Sequence, residues 1–386
     1  MTTAQGGAIF PAEGGVEEGI LDCIRQALGK GCFDAVLVPV KVPAGDSFAY
    51  LLVQDEALLE DAHPLSPIMP VQGARALSSI TRLGKGRTRI GAIMRPCEVR
   101  AAIELSKLAQ VELEGVTLIS IDCPGALPLA DWVRDQAKSE DTFKGLLERW
   151  DGEAVRPVCQ ICDKFSTTGG EDLHIGTLGP NDSNILLIPR SPKGEAFLDQ
   201  LGISPKEDIS GWTNKVSELT EERRERRKRA QKEFGTKIAG LDNLLDAFSN
   251  CINCHNCMRV CPICYCRQCF FDSDKLNFTF EDYLTRAEKQ GGLRFPPETL
   301  LFHIGRMVHM SLSCVSCGAC EDACPMSIPV SQIFSLVADR NQSAFDYHPG
   351  RSKEEPLPLR FYQEEEFEEV EDSYAGISAG EEARDA

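Results

Sequence analysis

The chain has 386 residues, 42% of them hydrophobic, which is enough for more than one packed core. Its net charge of −18, with no basic patch, excludes nucleic acid as an expected partner, and no apolar run reaches the length of a membrane span. The N-terminus lacks a charged-then-apolar leader pattern, so the 17 cysteines point to metal or redox chemistry in a reducing cytoplasm rather than to disulfides.

Residues 1–20 are Gly- and Glu-rich and read as a loose N-terminus. A short helix is expected over 21–28 and strands over 35–40 and 49–53, the first near a sheet edge because of Pro39. Three prolines between 62 and 70 exclude a regular element there, and 72–83 then reads as helix. A buried strand over 88–94, a helix over 98–109 and a strand over 116–121 form a strand–helix–strand unit, whose natural place is a parallel sheet. Both strands lead into cysteines, Cys97 and Cys123, and parallel sheets gather ligands at those strand ends. Further strands are expected over 173–178 and 185–188, with Gly176 and Gly179 allowing close backbone approach.

A long helix over 217–245 joins this α/β part to the cysteine-rich part. Its Arg/Lys run from Arg223 to Arg229 is interleaved with glutamate and reads as a solvated face, with a partner-binding strip as the alternative. The fold class expected is therefore an α/β domain with a mixed or parallel sheet, followed by a helical ferredoxin-like domain. The boundaries are 21–210 for the α/β domain, 211–250 for the linking helix, 251–345 for the ferredoxin-like domain and 346–386 for an extended acidic tail.

Two copies of C-x2-C-x2-C-x3-C-P carry the strongest chemical signal. They are Cys251, Cys254, Cys257 and Cys261 before Pro262, and Cys314, Cys317, Cys320 and Cys324 before Pro325. This is the spacing of bacterial ferredoxin [4Fe–4S] sites, in which the fourth cysteine ligates the other cluster. The expected sets are Cys251, Cys254, Cys257 with Cys324, and Cys314, Cys317, Cys320 with Cys261. Zinc is the bland alternative, but zinc knuckles need neither the third cysteine nor the trailing Cys-Pro.

Nine cysteines remain. Cys159 and Cys162 form a C-x2-C pair, and with Cys97 and Cys123 they offer four thiols for a third cluster. Free buried cysteine or a structural zinc would account for them equally. Cys264, Cys266 and Cys269 read as packing near the first motif, Cys23 and Cys32 as core residues. His255 lies inside a cluster loop, where an exposed position is expected.

The chain resembles the beta subunits of coenzyme F420-reducing hydrogenases and formate dehydrogenases, over about residues 20–350. The resemblance rests on Ser66-Pro67-Ile-Met-Pro70, on Ile90-Gly91-Ala-Ile-Met-Arg95-Pro96-Cys97-Glu98-Val-Arg100, on Cys159-Gln-Ile-Cys162-Asp-Lys-Phe165, on Asp172 to Gly179 and on the paired cysteine motifs. His309-Met310 and Phe345-Asp-Tyr347 make it most similar to the formate dehydrogenase members. It implies FAD in the α/β domain, near Ser66, Pro67, Gly91, Arg95, Pro96, Glu98, Arg100, Gly176 and Gly179, and a cluster on Cys97, Cys123, Cys159 and Cys162 close to it. Met94-Arg95-Pro96-Cys97 departs from the family's Gly-Thr-Pro-Cys, and no GxGxxG follows a strand. The function implied is an iron–sulfur flavoprotein subunit passing electrons between coenzyme F420 or NAD(P)H and one-electron relays. Its partner would be a formate dehydrogenase catalytic subunit or a heterodisulfide reductase-like subunit. A flavin-free polyferredoxin adaptor is the alternative.

Overall fold

A computed structural model describes residues 6–178 and 184–360. Residues 1–353 form one compact unit and residues 354–386 another, whose described part holds a 3₁₀ turn at Pro358–Arg360. The expected positions of Gly179 and of the acidic run after 360 lie outside the described residues.

A seven-stranded sheet organises the first unit. Its strands are β1 (Ala8–Pro11), β2 (Ala35–Lys41), β3 (Phe48–Val53), β4 (Ile90–Met94), β5 (Val116–Ile121), β6 (Leu173–Gly176) and β7 (Asn184–Pro189), in the spatial order β1-β7-β6-β5-β4-β2-β3. The four central strands β2, β4, β5 and β6 run parallel, and β3, β7 and β1 add antiparallel margins. Side chains alternate across the sheet. Ile93, Ile119 and Ile121 enter the core under α1 (Val16–Gly29), whereas Ala92, Met94 and Leu118 pack with α2 (Gly73–Thr81) and α3 (Pro96–Lys107) on the other face.

The remaining helices follow in order. Around the sheet lie α4 (Leu129–Arg134), α5 (Gln136–Arg149), α6 (Pro157–Gln160) and α7 (Pro192–Leu201), and then the long α8 (Ser210–Lys237) and α9 (Leu241–Ala247). The cysteine-rich part contains α10 (Asn256–Arg259), α11 (Phe280–Gln290), α12 (Thr299–Met310), α13 (Ala319–Asp322) and α14 (Val330–Ala344). Its separate core gathers Phe248, Met258, Phe271, Phe302 and Phe334.

Three expectations need correction. The N-terminus is ordered from Ala8, because β1 gains backbone partners from β7, 173 or more residues away. By contrast, β2 does lie near an edge, one strand in, as Pro39 suggested: it pairs with β4 only through Ala35–Leu37, and beyond that ladder the Pro39 carbonyl accepts from the His63 N–H at 2.8 Å. The long helix runs earlier than expected and ends at Lys237, before Gly240 at φ +89° starts α9. Residues 346–353 are not a free tail: the buried Tyr347 donates to Glu104 at 2.6 Å, and the Gly350 N–H donates to the same carboxylate at 2.9 Å.

Beyond the C-terminal end of β5, Asp122 is fully buried and ties three elements together. His174 Nε2 lies 2.9 Å from its Oδ1, Ser166 Oγ donates at 2.5 Å, Trp212 Nε1 at 2.8 Å and the Thr177 N–H at 2.8 Å. Burial alone would raise its pKa, but His174, Ser166 and Trp212 hold it below the ordinary carboxylate value. A lowered folded-state pKa contributes stability above the unfolded value of about 4, and that stability is lost as pH falls through the folded value. Asp122→Ala is expected to cost about 3 kcal/mol at neutral pH and to flatten the acid limb of stability, read from urea midpoints across pH.

Candidate metal centres

The two cysteine motifs share a backbone design. In the first loop Asn253 and His255 have φ of 55° and 59°; in the second, Ser316 and Gly318, at the same places in the motif, have φ of 53° and 82°. These left-handed residues flank Cys254 and Cys317 and curl each loop around its thiols. At Gly318 a Cβ would also stand 2.9 Å from Val158 and 3.0 Å from Arg156.

The loops close on two hollows. Cys251, Cys254, Cys257 and Cys324 line one. Cys261, Cys314, Cys317 and Cys320 line the other. Each hollow therefore takes its fourth thiol from the other motif. Among the described residues, no three His, Cys, Asp or Glu side chains converge tightly enough to hold a single metal ion. Four thiols spread around a hollow fit a polynuclear iron–sulfur group. Burial pushes Cys257 and Cys314 up to about 11 and Cys317 to about 12, so these thiols ionise readily only when a metal replaces their protons.

Helix α12 spans both hollows. Phe302 and His303 line the first, Met310 the second, and the seven residues from 303 to 310 advance about 10 Å along the axis. His303 Nε2 lies 3.4 Å from Cys251 Sγ, and its ring stacks on Phe248 at 3.9 Å. Burial, with Arg306 and His255 nearby, pushes His303 down to about 3, so its imidazole is neutral. Between the hollows, the buried Arg306 donates from Nη1 to Cys257 Sγ at 3.0 Å and from Nη2 to the Cys257 carbonyl at 3.1 Å. His255 is not exposed. Its side chain is 11% accessible, stacks on Phe302 at 4.3 Å and bonds Asp272 through Nδ1 at 2.7 Å.

The third thiol group gathers at the strand ends. Met94 and Ser120 pair across β4 and β5, which brings the following turns side by side. Cys123 lies within electrostatic reach of both Cys97 and Cys159, and Cys159 within reach of Cys162. Cys97 and Cys317 both pack against Met69, Ala126 and Ala319, so this group adjoins the second hollow.

Arginines hold these loops. The run on α8 is not simply a solvated face. Arg223 is buried and donates to the Cys162 carbonyl at 3.3 Å; Arg227, one turn on, donates to the Ile161 carbonyl at 3.2 Å and pairs with Asp339 at 2.5 Å. Their four-residue spacing puts both on one face, while Arg224 and Lys228 face outward. From the sheet side, Arg75 donates to the Cys261 carbonyl at 3.1 Å, Arg100 to Val315 at 2.9 Å and Arg156 to Cys317 at 3.1 Å.

The residues assigned to FAD by resemblance are engaged with protein. The Arg95 guanidinium donates to Cys123 Sγ at 3.1 Å, to the Gly125 carbonyl at 2.8 Å and to the Ser66 carbonyl. Glu98 accepts from the N–H groups of Gly73 at 2.6 Å and Arg95 at 2.9 Å and from the Tyr50 hydroxyl at 2.7 Å, capping α2 and α3. Pro96 begins α3, and Pro67 is buried, its carbonyl accepting from the Leu127 N–H. A Cβ at Gly91 would stand 2.6 Å from the Phe33 ring, and one at Gly176 2.8 Å from Trp212 Nε1, so side chains fill the space these glycines leave. These eight residues do not form a cradle for FAD.

Of the other cysteines, Cys266 is exposed, where packing was expected, while Cys264 lies against Met310, Cys269 lies against Met258, and burial pushes Cys23 up to about 12. Arg223, Arg227, Arg306 and His303 are the residues that sequence reasoning missed. Their only sequence signal is helical spacing toward a cysteine loop.

The 4Fe-4S dicluster domain model matches residues 247–328. The F420-dependent formate dehydrogenase subunit beta of Methanocaldococcus jannaschii is 26% identical over 293 residues, covering 68% of this chain and 74% of the relative. The F420-dependent formate dehydrogenase 1 subunit beta of Methanococcus maripaludis is 26% identical over 379 residues, covering 87% and 91%. A chain of the F420-reducing [NiFe] hydrogenase complex from Methanosarcina barkeri aligns with a TM-score of 0.45 at 13% identity, over 61% of this chain and 93% of that one.

The chain is an oxidoreductase subunit of the iron–sulfur class. Within that class it is similar to the beta subunits of F420-dependent formate dehydrogenase, as its sequence motifs indicate.

Arg156 also pairs with Asp322 at 2.5 Å, and both groups are shielded from water. Arg156→Met leaves that carboxylate without its cation and releases the Cys317 carbonyl. The expected cost is about 3 kcal/mol, measured as a lower urea midpoint of the anaerobic protein.

Proposed function

We propose that this chain is the iron–sulfur electron-transfer subunit of a formate dehydrogenase-like complex, with three [4Fe–4S] clusters in line. One observation carries the reading: three groups of four cysteines adjoin one another, with Cys97 and Cys317 packed against the same buried residues and each hollow lined by a thiol of the other motif. Bound there, each cluster supplies reversible one-electron storage. The ligands proposed are Cys97, Cys123, Cys159 and Cys162; then Cys261, Cys314, Cys317 and Cys320; then Cys251, Cys254, Cys257 and Cys324.

The chain's own side chains do the rest. Arg95 and Arg306 aim N–H groups at thiol sulfurs, Arg75, Arg100 and Arg156 set the second loop against the sheet, and Phe248, Phe302 and Phe334 exclude water around the hollows. Electrons would enter singly, so coenzyme F420 or NAD(P)H would be oxidised at a flavin in another subunit. A formate dehydrogenase catalytic subunit or a heterodisulfide reductase-like subunit would be the partner. No helix among the described residues is long and apolar enough to cross a membrane, and the unpaired cysteines suit a reducing cytoplasm. The relatives' F420 dependence favours a second reading, in which this chain itself carries FAD away from the eight residues above.

Iron near twelve atoms per chain with no acid-extractable flavin is the expected result for the purified chain, and F420H2, NADH and NADPH should each fail to reduce it alone. Stoichiometric FAD bleached by one of these carriers would establish the second reading instead. Cys324→Ser should remove the same spectroscopic signal as Cys254→Ser, and Cys261→Ser the same signal as Cys317→Ser. Loss of signals in motif order, Cys324 with Cys317, would overturn the proposed exchange of ligands.

A further inference from the structure

We infer that Arg306 is a positioning residue that sets the redox levels of two cysteine-bound centres together. The inference rests on the proposed occupancy of both hollows.

Arg306 lies on the α12 face that also carries His303 toward the first hollow and Met310 toward the second, at intervals of three and four residues. Arg306 is 2% exposed and has no carboxylate partner among the described residues. Instead, two N–H groups hold Cys257 by sulfur and carbonyl, and the plane packs against the Phe302 and Phe334 rings, with centroids at 5.4 and 4.8 Å. A buried cation normally needs an anion close by. With both hollows occupied, the anions are the cysteine sulfurs and the groups they hold. Cys257 belongs to the first hollow, and the Phe334 ring against which the guanidinium packs lines the second. Cys261, Cys264 and Cys320 also favour the charged guanidinium against the cost of burial.

One cation thus faces two electron-storing groups. Reduction of either centre adds one negative charge and makes or breaks no bond. A fixed positive charge in a low-dielectric interior stabilises that added charge on both sides and offsets their mutual repulsion. The two effects of Arg306 differ in reach. The N–H···S bond acts on the Cys257 side alone, whereas the charge acts on both. Lysine would keep the charge and lose the planar fork that holds sulfur and carbonyl together.

The test uses the full chain, purified anaerobically with its iron, as wild type, Arg306→Gln and Arg306→Lys. Iron and sulfide are counted, and each midpoint potential is read by EPR-monitored redox titration, with Cys254→Ser and Cys317→Ser assigning the signals. Arg306→Gln is expected to lower both midpoints with iron retained. Arg306→Lys should lower the midpoint of the Cys257 centre and return the other to its wild-type value. The inference is overturned if glutamine moves only the Cys257 centre, or moves neither while iron is retained. Should glutamine cost iron, the lysine variant decides: unchanged midpoints at both centres, or equal shifts at both, refute it. A wild-type chain without these two EPR signals would instead refute the occupancy on which the inference stands.

Discussion

Guanidinium groups donating to the backbone of cysteine loops hold the two parts of this protein in one body. The loops are short, strained into left-handed turns and poor in regular hydrogen bonds, so their carbonyls need external donors. Arg75, Arg100 and Arg156 supply them from the sheet side, and Arg223 and Arg227 supply them from α8. Arginine suits the task because its planar fork can satisfy several acceptors from one anchored side chain. A lysine would satisfy fewer and would carry a larger hydration cost into the interior.

The sheet contributes position more than chemistry. Parallel pairing of β4 with β5 sets Cys97 and Cys123 at neighbouring strand ends, and β6 brings His174 to Asp122 beside them. The carboxylate of Asp122 and the cap made by Glu98 then fix the turns that carry those cysteines. Buried polar groups with every role filled of this kind confine a loop to one conformation. The same turns leave little room for a large planar cofactor at the residues that family likeness assigned to one.

What could be read from the sequence follows from locality. The strand–helix–strand unit from residue 88 to 121 shows a clear period, and both cysteine motifs are set by spacings of three and four residues. The placing of Cys324 with the first motif and Cys261 with the second was expected from the ferredoxin spacing and not from any local pattern. Distant partners were not legible. Gly91 and Gly176 look like backbone devices for a ligand until Phe33 and Trp212, remote in sequence, are seen filling the space. The arginines of α8 sit among glutamates and look solvated, since nothing local marks Arg223 and Arg227 as the inward pair. β1 is four residues of ordinary composition whose only reason to be a strand is β7.

The geometry of α12 constrains how this chain can vary in length. A helix turns 100° with each residue, so one insertion between His303 and Met310 would swing everything beyond it away from the cysteines. The stretch from 270 to 298, built of short turns and the exposed α11, has no such phase to keep. Insertions and deletions in related chains should therefore collect in that stretch, while the count of residues across α12 stays fixed like the teeth of a gear.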